Sequence, residues 1–439
     1  MADRQQRDIY LDVTDLILWV RQNTKVTGIQ RVHMSYALCA LTHGVKFVLF
    51  HGRRCEKVEL ISAELITYIG QALSGGRVAP EAIYAMCPNA RLGVWKDYGD
   101  KYSNRPWLGW GLSVLSGLLS WGRALLFERK GHPPAFQPGD ILLSVGRGWT
   151  VGGYLNGVRR LKEANGVVPM VLLHDVLPME SELKRQKNMR FANYVKGCFD
   201  VFEGFLTSSD FNVREISRYM HQLGGVSKPI TKIRFGSNVD AHPVEGGDLP
   251  EGLRPGEYIL CVGRIDFSKN QALLLEVWLD LVGEGRHSGK KLVFVGTLNR
   301  RYTDFKKQMA RCAPGAGAYL VLENVSDVQL ALLYRACYFT VFPSRAEGYG
   351  LPVAESLGAG KLCVASNATS IPEVAGDLAD YFDPREKSQI RAKIESYLAN
   401  PEAVRSKENQ IMKKPRYHWD EATSDFLSSV RDGREVSFC

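Results

Sequence analysis

Two short stretches of this chain concentrate the residues able to do chemistry. In Pro343-Ser-Arg-Ala-Glu-Gly-Tyr-Gly-Leu-Pro-Val-Ala-Glu355, seven residues separate two carboxylates, Glu347 and Glu355, and among them are Gly348, Tyr349, Gly350 and Leu351. The two glycines permit a tight backbone path close to a ligand, and Pro352 fits the first turn of a helix, where its missing N–H is not needed. Free N–H groups around Gly350 and Leu351 would face an anion with a helix dipole behind them. Glu347 falls in the loop before that helix and Glu355 inside its first turns, so the pair is spread along a ligand and need not act as acid and base. Carboxylates accept hydrogen bonds from vicinal hydroxyls, so one suits a sugar ring and the other a ribose. Acidic residues also favour a helix start through the dipole alone, which explains Glu355 but not the Glu-Gly-Tyr-Gly-Leu-Pro path.

The second stretch, Gly263-Arg-Ile-Asp-Phe-Ser-Lys-Asn270, follows a strand-like run and carries Arg264 and Lys269 on one loop. A departing diphosphate needs positive charge as its bond breaks, and two fixed cations supply it without a metal. An isolated Gly-Arg would be a basic surface turn; its position after a strand favours a site. His174-Asp175 ends another apolar run. A histidine there is often a satisfied structural residue, but a strand end favours a site role, with Asp175 available to orient His174. Gly28, in Val26-Thr-Gly-Ile-Gln-Arg-Val32, is either a ligand-facing loop or a tight turn before a helix, with Arg31 solvated.

These residues need elements to hold them. Apolar runs at residues 9–13, 46–50, 141–145, 168–173, 204–207 and 232–235 predict strands separated by amphipathic helices, the appearance of parallel strands covered on both faces. Between Ala241 and Gly256 three prolines and four glycines break any regular element and predict a linker. The rhythm restarts at 258–262, 292–295, 319–322, 339–342 and 362–365. Two doubly wound α/β domains facing a central cleft are therefore expected, with ligands beyond the carboxyl ends of the strands.

A length of 439 residues fits about two domains. Hydrophobic residues at 45% and charged residues at 23% exclude a disordered, collagenous or coiled-coil chain. The net charge of +9 suits an acidic partner without choosing among nucleotide, nucleic acid and anionic membrane. Nine cysteines form no CxxC pair or metal-finger cluster, and their odd number argues against a full disulfide framework, so a reducing cytoplasm is expected. The charged N-terminus gives no export signal, and the apolar stretch 106–122 is shorter than the about 20 residues that span a bilayer.

The chain resembles the retaining nucleotide-sugar glycosyltransferases of GT-B fold, family four, also called group 1, which includes bacterial mannosyl-, glucosyl- and rhamnosyltransferases. The resemblance rests on Glu347 and Glu355 at the family's spacing, with Gly-Tyr-Gly-Leu-Pro where Gly-Phe-Gly-Leu-Pro is usual. It rests also on the Val262-Gly-Arg loop with its Lys269-Asn270, and on Ser366-Asn-Ala-Thr-Ser-Ile-Pro-Glu-Val-Ala-Gly376. Upstream, Thr207-Ser-Ser-Asp-Phe-Asn-Val-Arg-Glu215 and Ile233-Arg-Phe-Gly-Ser-Asn-Val-Asp240 are similar in weaker form; in the latter Gly236-Ser237 before Asn238 replace the usual Pro and Gly of the element. Tyr417-His-Trp-Asp-Glu-Ala422 resembles the final helix start, with Trp419 expected as a packing anchor.

The resemblance implies an N-terminal acceptor-binding domain over 1–245, a nucleotide-sugar domain over 246–415, and a C-terminal helix in 416–439 that packs back on the first. It implies transfer of a hexose, mannose or a deoxyhexose such as rhamnose, from a nucleotide diphosphate sugar, GDP-mannose first, to a glycan hydroxyl in surface polysaccharide, O-antigen or lipopolysaccharide assembly. Glu347 would position the donor sugar with His174, Glu355 would bind the ribose, and Gly263, Arg264 and Lys269 would hold the diphosphate. Gly348, Tyr349, Gly350 and Leu351 would complete the donor site, and Gly28 with Asp175 would lie at the diphosphate and acceptor. No cofactor, metal or nucleic-acid partner is expected. An insertion near 104–130 has no counterpart in the family. Its Trp107, Trp110 and Trp121, among basic residues, suit a membrane interface in preference to a helical hairpin packed on protein, which would make the enzyme peripheral on the inner face of the cytoplasmic membrane. A phosphorylase or epimerase on the same architecture, and a non-catalytic nucleotide- or polysaccharide-binding protein, are the competing readings.

Overall fold

A computed structural model describes residues 7–21, 23, 28–52, 54–74, 78–91, 131–179, 189–237, 248–299, 301–311 and 317–432. Trp107, Trp110 and Trp121, the rest of the expected insertion and part of the expected linker lie outside the described residues. The chain divides into two units, one running to Phe235 and resuming at Trp419, the other comprising Ser209–Phe211 and Gly236–His418.

The first unit is built on a seven-stranded sheet formed by β1 (Ile9–Asp12), β2 (Lys46–His51), β3 (Lys57–Ile61), β4 (Ile141–Ser144), β5 (Val168–Leu172), β6 (Gly204–Thr207) and β7 (Ile230–Lys232), in the order β3-β2-β1-β4-β5-β6-β7. All neighbours are parallel except β2 and β3. The doubly wound, parallel sheet is as expected, with one added strand at its edge. β3 is an antiparallel edge strand whose charged residues hid it: Lys57 is exposed, as an edge allows, while Glu59 is buried and accepts from Asn89 Nδ2 at 2.7 Å. The last strand also starts earlier than the expected 232–235. Phe235 lies outside it and stacks on Trp419 at 5.9 Å, while Tyr36 meets Trp419 and Phe426 at 5.2 and 4.5 Å. That aromatic cluster fixes the Trp419–Asp432 helix to the Ile29–Ala40 helix.

The second unit holds a six-stranded, all-parallel sheet of β8 (Tyr258–Val262), β9 (Lys291–Val295), β10 (Tyr319–Leu322), β11 (Thr340–Phe342), β12 (Cys363–Ser366) and β13 (Asp380–Phe382), ordered β10-β9-β8-β11-β12-β13. β13, three residues long at an edge, was not expected. Alternation explains the near-continuous apolar strands: Ile259 and Cys261 join Leu292 and Phe294 in one core, while Tyr258 and Leu260 join Val293 and Val295 in another. Both faces are therefore buried, and successive side chains feed opposite cores. Trp278, fully buried in the first of these cores, donates its indole N–H to the carbonyl of Ala318 at 2.7 Å. The described cysteines, Cys55, Cys198, Cys261 and Cys363 among them, are free thiols.

Candidate functional site

In the second unit, the loops after β8 and β11 are tied together. Gly263 leaves β8 with φ 143° and Gly296 leaves β9 with φ 148°, and a Cβ on Gly296 would lie 2.3 Å from the Gly263 carbonyl oxygen. Only glycine allows that approach. Asp266 then organises the turn. Its Oδ1 accepts from the Ser268 hydroxyl at 2.7 Å and the Lys269 N–H at 3.2 Å, and its Oδ2 accepts from Arg264 Nε at 2.7 Å. Burial would raise the Asp266 pKa, but the Arg264 guanidinium, the Ser268 hydroxyl and Lys269 outweigh it and hold the group below the usual carboxylate range. Asn270, left-handed at φ 60°, opens the Gln271–Gly283 helix and donates from Nδ2 to the Pro384 carbonyl at 2.8 Å.

The Ser268 carbonyl accepts from the Arg345 N–H at 2.8 Å and from the Ser344 hydroxyl at 3.1 Å, which binds the second loop to the first. The consequence is a contact between residues far apart in sequence: Lys269 Nζ donates to Glu347 Oε1 at 2.6 Å. The Glu347 backbone is pinned on both sides. Its N–H donates to Thr369 Oγ1 at 2.9 Å, and its carbonyl accepts from the Thr369 and Ser370 hydroxyls, each at 2.8 Å. Thr369 holds φ 54°, a conformation uncommon for a β-branched residue. Gly350, at φ 107°, starts the Leu351–Gly358 helix with no side chain capping it. Glu355, buried in that helix, accepts from the Tyr334 hydroxyl at 2.9 Å. Tyr334 lies on the Asp327–Ala336 helix, which begins with a capping box between Ser326 and Gln329. Thr369, Ser370 and Tyr334 were not singled out in the sequence. Gly296 was also missed, although Val262-Gly263 and Val295-Gly296 repeat one dipeptide after neighbouring strands.

In the first unit, His174 and Asp175 follow β5. His174 Nε2 donates to the Val145 carbonyl at 2.9 Å, which leaves Nδ1 as the acceptor nitrogen. Burial pulls its pKa down to about 4 against the opposing effect of that hydrogen bond, so the ring is neutral near pH 7. Asp175 Oδ1 accepts from the Leu177 N–H at 3.1 Å. Gly28, at φ 50°, begins the Ile29–Ala40 helix. Ile29, His174 and Asp175 line one cavity of about 120 Å³ together with Trp149, Phe191 and Tyr194, aromatic residues that sequence reasoning did not nominate. Among the described residues no group of three or more His, Cys, Asp or Glu side chains could hold a metal ion, and no helix is long and apolar enough to cross a membrane.

Comparison with known proteins agrees with this architecture. Residues 252–416 match the family described as glycosyl transferases group 1. The O-antigen chain mannosyltransferase B of Escherichia coli is 30% identical over 194 residues, 43% of this chain and 50% of that protein. The lipopolysaccharide core biosynthesis mannosyltransferase LpcC of Rhizobium leguminosarum bv. viciae is 28% identical over 42% of this chain and 54% of its own length. With the serotype-specific mannosyltransferase WbdA of Escherichia coli, 28% identical, the match spans only 20% of the relative. Among solved structures, HepE of Anabaena, in complex with UDP and glucose, has a TM-score of 0.59 at 15% identity and covers 98% of this chain and 100% of its own. Sucrose-phosphate synthase from Thermosynechococcus elongatus has a TM-score of 0.57 at 13% identity, covering 97% and 99%. Residues 252–416 therefore carry the likeness to the group 1 glycosyltransferases, the chain spans about half the length of O-antigen chain mannosyltransferase B and of LpcC, and its two units have the GT-B fold.

Proposed function

We propose that this chain transfers a hexose from a nucleoside diphosphate hexose to a hydroxyl of a growing glycan, with retention of anomeric configuration and without a metal. The observation that carries the reading is the Lys269–Glu347 contact of 2.6 Å, formed where the loops of two neighbouring parallel strands meet, with Arg264 on the same loop as Lys269. The ammonium occupies one oxygen of Glu347 and leaves Oε2 to accept from donor-sugar hydroxyls. Arg264, bound on one side by Asp266 and otherwise exposed, offers its remaining N–H groups to a diphosphate, whose charge grows as the glycosyl bond breaks. The backbone N–H groups opening the Leu351–Gly358 helix add a further anion-facing edge. Glu355, buried in the Leu351–Gly358 helix and held by the Tyr334 hydroxyl at 2.9 Å, is the carboxylate for the ribose hydroxyls. In the first unit, neutral His174 contributes Nδ1 as an acceptor for a sugar hydroxyl.

The acceptor hydroxyl attacks from the face that the diphosphate leaves, and a donor phosphate oxygen takes its proton. GDP-mannose is the first donor to test, since the named relatives are mannosyltransferases, and a surface glycan assembled at the cytoplasmic face of the membrane is the corresponding acceptor. A thermal-shift screen against GDP, UDP, ADP and dTDP, followed by their hexose conjugates, tests the donor half, because a ligand of the native state raises stability by mass action. Stabilisation by one nucleotide and its hexose conjugate is expected; no shift with any of them would move the assignment to a polysaccharide-binding role. With the donor in hand, Glu347→Ala should fold and bind the nucleotide but lose transfer. Full turnover by that variant would sink the proposed chemistry.

A further inference from the structure

The loop after β12 grips one residue of the loop after β11. Thr369 commits both halves of its hydroxyl to that residue: the oxygen accepts from the Glu347 N–H at 2.9 Å, and the proton is donated to the Glu347 carbonyl at 2.8 Å. Ser370, fully buried, donates to the same carbonyl at 2.8 Å and approaches the Tyr349 carbonyl at 3.1 Å. Across a planar trans peptide the next N–H points opposite to the carbonyl. Fixing the Tyr349 carbonyl therefore turns the Gly350 N–H to the other side, where the Leu351–Gly358 helix opens. The Glu347 side chain is held separately, by Lys269 at 2.6 Å from Oε1. Backbone and carboxylate are thus fixed from two loops at once, and the position of Oε2 follows from both.

Thr369 is poorly suited to its own backbone. At φ 54° it sits in the left-handed region, where an L side chain crowds the following carbonyl and a β-branched one is a true outlier; glycine would avoid the strain. The turn does not need the Thr369 hydroxyl for its shape. The Asn367 N–H donates to the Phe382 carbonyl at 2.9 Å, the Ala368 N–H to the Ser366 hydroxyl at 3.0 Å, and the Ile371 N–H to the Ala368 carbonyl at 3.2 Å. A residue that strains its own turn, and whose hydroxyl is bound on both sides to Glu347, 22 positions away, has its reason in Glu347. Strained conformers of this kind persist where the surroundings over-determine them, and they cluster at ligand clamps and active sites. A misplacement of about 1 Å costs about 100-fold in rate, so a hydroxyl that fixes a backbone matters as much as one that touches substrate.

We propose that Thr369 and Ser370 are positioning residues for transfer: they fix the Glu347 peptide so that Oε2 meets the donor sugar, and Thr369 stands there for its hydroxyl against the preference of its backbone. The proposal rests on the transferase reading and on Glu347 as the carboxylate for the sugar. The test uses the full chain and the release of nucleoside diphosphate from GDP-mannose, UDP-glucose, ADP-glucose and dTDP-rhamnose, with methyl α-D-mannopyranoside as acceptor. Thr369→Gly removes the hydroxyl and the strain together. It should fold with a melting temperature close to wild type and bind nucleoside diphosphate as wild type does, while kcat falls about 30- to 100-fold and the donor KM changes less than about threefold. Thr369→Ser keeps the hydroxyl and removes the branch, so it should retain at least about half of kcat with an equal or higher melting temperature. Ser370→Ala, which loses two carbonyl contacts, should lower kcat about tenfold. Wild-type kcat in Thr369→Gly, or an equal loss in Thr369→Ser, would overturn the proposal. So would a loss of kcat matched by the same loss of nucleotide affinity, which marks a collapsed loop. If the wild type consumes none of the donors, the transferase reading falls and the positioning role with it. If the wild type consumes one and Thr369→Gly consumes it as fast, the positioning role alone falls.

Discussion

The strand-end regions of the two units solve different problems with opposite materials. In the second unit the loops after β8 and β11 gather Arg264, Asp266, Lys269 and Glu347 into interlocked ion pairs and clamp their backbones with Ser344, Thr369 and Ser370. In the first unit, the ends of β4 and β5 and the Met189–Val201 helix contribute Trp149, Phe191 and Tyr194 around a space with neutral His174 at its edge. Fixed charge in a shielded site is strong and suits a charged leaving group. Aromatic surface is weak per contact, tolerant in orientation, and suits a ring that must enter and leave. On the proposed function, the chemical step falls to the charged loops of the second unit, and each variant below is a way to break that contrast.

Lys269→Ala should have the largest effect. It removes the ammonium at 2.6 Å from Glu347 and the positive charge offered to the diphosphate, so transfer should fall by about 100- to 1000-fold, the usual consequence of losing one preorganised electrostatic contact. Single-turnover rates with the identified donor measure it. Unchanged transfer by that variant, properly folded, would end the assignment of the chemical step to these loops.

The first unit answers acid differently. His174 has a folded pKa of about 4, below its unfolded 6.5, so the unfolded chain takes up the proton first and stability is lost as pH falls from about 6.5 towards 4. His33, also lowered by burial, adds to the same loss. Asp12 works in the other direction. Burial raises its pKa to about 6 against hydrogen bonds from Thr14 and Tyr154, so the native state takes up the proton first and stability is gained as pH falls through about 6 towards 3.8. The His174 and Asp12 contributions are each on the order of 2 to 3 kcal/mol. Asp12→Asn should therefore steepen the acid loss measured by chemical denaturation between pH 6.5 and 4, and His174→Gln should flatten it. Parallel curves for both variants and wild type would show that folding shifts the pKa of neither group.

What the sequence disclosed follows the same contrast. The donor-side residues were legible because the loop chemistry is contiguous: Gly263 to Asn270 and Pro343 to Glu355 each carry their glycines, charges and helix start within a dozen or so positions, directly after an apolar run. Their meeting was not legible, since Lys269 and Glu347 come together only through Ser268 carbonyl contacts that no spacing encodes. Trp149, Phe191 and Tyr194 stand on separate elements and look like ordinary core aromatics. The applicable signal was position, because Gly146-Arg-Gly-Trp149 follows β4 as Gly263 follows β8. The long buried strands were visible as apolar runs. β3 and β13 were not, because short edge strands carry charge and lack a continuous apolar signature.

The smallest expected effect separates chemistry from stability at one residue. The Arg264 side chain is 69% exposed and pairs with Asp266, and exposed ion pairs contribute about 0 to 1 kcal/mol, so Arg264→Ala should leave the melting temperature of the free protein nearly unchanged. Asp266 keeps the Ser268 hydroxyl and the Lys269 N–H, so the turn retains its shape. Affinity for the nucleoside diphosphate should still fall about tenfold, because a guanidinium that contributes little to the fold remains free to meet a phosphate, and the loss should shrink as salt is raised and screens it. Titration calorimetry at two ionic strengths reads both quantities. A large drop in melting temperature with unchanged nucleotide affinity would make Arg264 a brace for the loop and leave Lys269 as the cation on which the departing diphosphate depends.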